Sequence, residues 1–126
     1  MIPYTQIGED NCFTTCIGSI FEVDPESLPN YLKDDDWFEK WYSFLAERNI
    51  RIHVHYYNKT SKKYIPNGYV IFGVKRSKND LHAVVGYDGD IVWDPSPNKH
   101  EFKEKDIVDY TYFTILNPSK FKFELK

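Results

Sequence analysis

The sequence predicts an α+β domain: N-terminal helices packed on a C-terminal antiparallel sheet. Two patterns predict it. Before Asn49, apolar residues recur at helical spacing; after it, they alternate with polar residues at period two. The chain has 126 residues, with no internal repeat and no low-complexity tract, so residues 1–126 are expected to form one domain. That length buries an ordinary core without a metal or a disulfide.

Each element has its own local reason. Phe13, Cys16, Ile17, Ile20 and Phe21 fall at i, i+3, i+4, i+7 and i+8, the buried stripe of a central helix over about residues 12–22. Asp10 or Asn11 is its expected N-cap. Asp24-Pro25-Glu26 starts a short second helix reaching about Leu32, with proline at its first position. The run Asp34-Asp35-Asp36 is read as capping and dipole chemistry for a third helix over about 36–48. That helix turns Trp37, Phe38, Trp41, Phe44 and Leu45 inward. Strands are expected at 51–57, 69–75, after His82 and at 110–116, with a last one at 120–125 on Phe121, Phe123 and Leu125. Residues 58–67 and 95–105 read as loops.

Composition narrows the function. Apolar residues make up 41%, aromatics 17%, and the net charge is −3, values of a folded globular chain. The basic residues gather only at Lys62-Lys63 and at 120–126, so no nucleic-acid partner is expected. No apolar stretch approaches membrane-spanning length and no secretory signal is visible, so no membrane partner is expected. Cys12 and Cys16 lie four apart on one helix, which keeps them from pairing; they read as reduced thiols of a cytoplasmic protein.

The chemistry lies in four residues taken in order: Gln6, Cys12, His82 and Asp94. Cys12 opens a helix, where the dipole is expected to lower the thiol pKa and favour a nucleophilic thiolate. Cys16 fits an inert buried thiol on the apolar stripe. Gln6, six residues before Cys12, offers a side-chain amide that joins the backbone N–H of Cys12 around an oxyanion. His82 begins a strand and Asp94 lies one hairpin later, a base and its orienting carboxylate.

The hairpin between them tests the pairing. With a two-residue Asp88-Gly89 turn, Tyr87 opposes Asp90, Ala83 opposes Asp94, and His82 and Asp94 face opposite sides. With a three-residue loop, Tyr87-Asp88-Gly89, Gly86 opposes Asp90 and His82 directly opposes Asp94. The second register is expected, with Ala83, Val85, Ile91 and Trp93 sharing the apolar face. His53 and His55 share a strand face at a spacing that can bind zinc. Cys12 and Cys16 on one helix make a poor tetrahedral clamp, so no metal is expected and these histidines read as a solvated face. His100, in a charged loop, carries no signal.

Gln6 and Cys12 at a helix start, then His82 and Asp94 on successive strands, resemble the papain-like cysteine peptidase fold. The stretches from Asp10 to Ile20, Val23 to Pro29, and His82-Ala83-Val84-Val85-Gly86 to Asp94-Pro95 are similar to small bacterial and phage proteins. Those proteins resemble the leader-peptide peptidase domains of bacteriocin exporters. The resemblance implies Cys12 as nucleophile, His82 as base, Asp94 as orienter and Gln6 as oxyanion donor, with no cofactor. Phe13 stands where many relatives have glycine and narrows access beside the thiol. Eleven residues precede Cys12, so no inhibitory pro-segment is expected. The expected function is a cysteine peptidase, or a related amide or isopeptide acyl transferase, acting on a peptide or protein. The alternative is an inactive domain of the same fold that binds proteins, for instance between phage and host.

Overall fold

A computed structural model describes residues 1–120. Two helices, α1 (Cys12–Phe21) and α2 (Trp37–Ala46), precede five strands: β1 (Ile50–Tyr56), β2 (Tyr69–Ser77), β3 (Asp80–Tyr87), β4 (Asp90–Trp93) and β5 (Ile107–Ile115). The strands form one antiparallel sheet in the order β1-β5-β2-β3-β4. The expected α+β class is what the chain adopts. The strand expected at 120–125 falls, beyond Lys120, outside the described residues.

Both helices cover one face of the sheet. Cys16, Ile17, Trp41 and Leu45 meet Ile50, Ile52, Ile71, Ala83 and Val85 in the larger core. Trp41 is its hub, packing edge-on against Phe13 at 6.1 Å, Tyr31 at 5.2 Å and Phe44 at 5.6 Å between ring centroids. Each such pair adds about 0.5–1.5 kcal/mol beyond the area it buries. This cluster ties the start of α1 to α2. The opposite face carries a second core of Val70, Phe72, Val74, Val84, Ile107 and Tyr110, under Ile65 and Phe102 from the long loops.

Several local expectations need correction. The second helix is only a single 3₁₀ turn, Pro25–Ser27. Pro29 bars its neighbour from helical geometry, and Leu28 is extended (φ −95°, ψ 151°). The acidic triplet does not cap α2: Asp36 at the N-cap makes no side-chain bond to it. Asp34 and Asp36 hold Lys40 instead, at 2.9 and 3.5 Å. Strand β5 starts three residues earlier than expected, which brings Asp109 into the sheet. His53 and His55 lie on the outer face, stacked against Tyr112 at 4.5 Å and Tyr110 at 5.4 Å.

The hairpin also differs from the expected one. Tyr87 pairs with Asp90, so the turn is the two residues Asp88 (φ 50°) and Gly89 (φ 90°), both left-handed as a type I′ turn requires. The ladder then slips: Gly86 pairs with Ile91, but Val85 pairs with Trp93. Val92 is the extra residue of a β-bulge. It shifts the pairing by one, so Asp94 returns to the face of His82. The bulge also moves Ile91 off the Val85–Trp93 face and into the second core.

Candidate active site

His82 and Asp94 are joined. Nε2 of His82 donates to Oδ1 of Asp94 at 2.6 Å, with both side chains buried. Asp94 lies just past the end of β4, diagonal to His82 rather than opposite it. Two further donors fix the carboxylate: the N–H of Ser96 to Oδ1 at 2.9 Å and the N–H of His100 to Oδ2 at 3.2 Å. Lys99 closes this loop by donating to the carbonyls of Asp94 (2.5 Å) and Ser96 (2.7 Å), its ammonium 4.0 Å from the Trp93 ring centroid. The loop containing His100 therefore does carry a signal, through its backbone. Nothing in the residue types of 96–100 announces these bonds in advance.

The electrostatics set the proton positions. Burial pushes Asp94 up, but the bonds from His82, Ser96 and His100 together hold it below the usual carboxylate range. Ionised, it only accepts, so the hydrogen of the 2.6 Å contact sits on Nε2 of His82. Burial pulls the imidazole pKa down, against the opposing bond to Asp94, which favours the neutral ring. The neutral ring then presents a bare lone pair at Nδ1. That atom is buried and has no hydrogen-bond partner.

Cys12 and His82 line one cavity of about 200 Å³ on the helical face of the sheet. The cysteine is at the start of α1 as expected, but it is buried, at 4% exposure, and not at an exposed end. Burial pushes its thiol pKa up, opposite to the lowering expected from the helix terminus. The backbone N–H groups of Ala83, Phe13 and Cys12 act against burial without overcoming it. No side chain caps α1 at Asn11. The N–H groups a cap normally engages are left for the sulfur. Cys16 is fully buried and its thiol is raised further, again by burial.

Gln6 is buried beside Asp94, its backbone N–H bonded to the carbonyl of Pro95 at 2.8 Å. Its Nε2 donates to the carbonyl of Gly8 at 2.7 Å, leaving one amide hydrogen over. Oε1 has no partner. Gln6 lines a separate polar cavity of about 630 Å³, with Arg76, Asp80, Ser96 and His100. Arg76 is held there by Asp80 through a two-bond pair, 2.8 and 3.3 Å. His82 and Asp94 are joined on the side of the second core, where His82 pairs in register with Val74; Cys12 comes from the helical side and shares with His82 the lining of one cavity, while Gln6 lines another. No helix among the described residues is long and apolar enough to cross a membrane.

The sequence reading missed Asp109. Its carboxylate lies on the floor of the Cys12 cavity, over Gly73 of the neighbouring strand. An acidic residue at period two with Thr111 and Phe113, both on the helical face, was the available signal. Comparison with protein-family models, curated proteins and solved structures found no match for this chain.

Proposed function

We propose that this protein is a papain-like cysteine hydrolase, attacking a peptide, isopeptide or related amide carbonyl through Cys12. The observation that carries this reading is the buried, unpartnered Nδ1 of His82, its ring oriented by Asp94, beside the cavity that Cys12 lines. A buried nitrogen lone pair without a partner is costly, and a thiol is the donor that would satisfy it.

The raised thiol and lowered imidazole favour a neutral resting pair rather than a preformed thiolate–imidazolium. His82 then acts as general base. Sulfur attacks the carbonyl carbon as its proton passes to Nδ1, and the oxygen takes the negative charge. The N–H of Cys12 and the spare amide hydrogen of Gln6 are the proposed donors to it. The C–N bond breaks as the proton passes from His82 to the departing amine. Water attacks the thioester, gives a proton to Nδ1, and the acid leaves with the thiol restored. Asp94 steadies the imidazolium that forms in each half.

The test is acylation by an activated ester, read by intact mass with the modified residue mapped. Acyl-enzyme is expected on Cys12 alone. His82→Ala should slow its formation by about 10²–10⁴-fold, and Cys16→Ser should leave it unchanged. The low exposure of Cys12 is what favours the alternative, an inactive protein-binding domain. Acylation at Cys16, or a rate indifferent to His82, would establish that alternative over the catalytic reading.

A further inference from the structure

The cavity beside Cys12 has apolar walls and one charge. Phe13, Leu32, Trp37 and Val54 form the walls. Gly73 and Asp109 face each other across β2 and β5 on the floor. A Cβ on residue 73 would overlap the Asp109 carboxylate, so the absence of a side chain there is what lets the carboxylate lie in the cavity. Asp109 also lines an adjoining groove with Trp37, Phe38, Val54 and His55. It is therefore reachable from two sides.

No cation pairs with Asp109 among the described residues; the N–H of Gly73 is its one favourable contact. A half-buried carboxylate without a counter-ion is destabilising. Burial raises its pKa accordingly. At about 200 Å³ the cavity is smaller than the ~300–1,000 Å³ of small-molecule sites and suits one long side chain.

We propose that this cavity is a specificity pocket for a lysine or arginine side chain of the substrate, with Asp109 as the residue that selects it. The aliphatic stem lies between Phe13, Trp37 and Val54, and the cationic tip reaches Asp109. The cation supplies the missing counter-ion, so its binding is favoured over that of a neutral chain of equal length. The substrate class rests on the hydrolase reading; the pocket itself does not need turnover.

The test uses that independence. Cys12 is alkylated with N-(5-aminopentyl)iodoacetamide and with N-pentyliodoacetamide, which differ in the charged tip. The cationic reagent should label Cys12 at least about tenfold faster, an advantage that shrinks with added salt. Asp109→Asn keeps an acceptor for the Gly73 N–H and removes only the charge. It should abolish the preference while leaving the pentyl rate and the melting temperature unharmed. Equal rates in the wild type, an advantage that survives in Asp109→Asn, or no labelling by either reagent would overturn the pocket. Preserved preference without acyl turnover would sink the catalytic reading alone. Turnover without preference would sink this proposal alone.

Discussion

The ammonium of Lys99 stacks on the ring of Trp93 while donating to the two carbonyls that flank the Asp94–Ser96 turn. The indole in turn donates Nε1–H to the carbonyl of Tyr4 at 2.7 Å. One lysine therefore links the segment before α1 to the loop that aims the carboxylate at His82.

Lys99→Met keeps the aliphatic stem and removes the charge. It should cost about 1–2 kcal/mol of stability, from the lost charged bonds and ring contact. It should also lower Cys12 acylation about tenfold by loosening Asp94. Urea denaturation and single-turnover acylation measure the two. A stability loss with no change in acylation would confine Lys99 to a structural part.

Deleting Val92 removes the unpaired residue and leaves a regular ladder on the same two-residue turn, with Gly86 still opposite Ile91 and Val85 still opposite Trp93. Asp94 should therefore stay on the face of His82. The hydrogen-bonded Nε2 proton of His82 should remain in the low-field NMR spectrum, and acylation should be retained. Loss of the low-field proton after deletion would show that the local twist of the bulge, and not register alone, aims Asp94 at His82.

The pKa shifts predict acid sensitivity. His82 and His53 are both lowered, mainly by burial. Between their folded values and about 6.5, the unfolded chain binds protons that the folded chain does not, so stability rises with pH there and is complete above about 6.5. Asp94, also lowered, contributes above its unfolded value and loses that contribution as pH falls through the folded one. Asp109, raised by burial, acts in the opposite sense and takes a proton more readily when folded. Melting temperature should fall from pH 7 to 5, and His82→Gln should flatten that slope. An unchanged slope in the variant would refute the neutral, buried imidazole.

Gly86→Ala should be destabilising for a reason of space. A Cβ there would overlap the ring of Phe72 and press on Val70, both fully buried. Overpacking of this kind costs about 1–3 kcal/mol. Combining it with Phe72→Leu should recover part of the loss, as a double-mutant cycle in urea would show.

The positions of Cys12 at a helix start and Asp94 at a strand end, and the pairing of Asp94 with His82, were legible from punctuation and from the hairpin; the catalytic part of the four residues, Gln6 included, is the proposal made above. The two central strands and α1 followed from periodicity alone. The hairpin was misread through an assumption of unbroken alternation. Asp88-Gly89 signalled its type I′ turn correctly, but one bulge at Val92 reverses parity and leaves no mark in residue type. The thiol pKa departs from the expected direction because helix position is a local signal, whereas the burial of Cys12 comes from the larger core, which it joins with residues distant in the chain such as Trp41, Ile71 and Val85. Asp109 escaped notice because the bulge opposite Gly73 and Val74 hid the true start of β5.

The place of β5 in the sheet constrains when the protein can fold during synthesis. It is the last of the described strands in the chain, yet it lies inside the sheet, and β1 joins the sheet only through it. Until residues 107–115 leave the ribosome, β1 and β2 each present an open hydrogen-bonding edge, and Asp109 is not yet beside Gly73. Nascent chains stalled short of β5 should therefore be the species most prone to edge-to-edge aggregation and most dependent on chaperones.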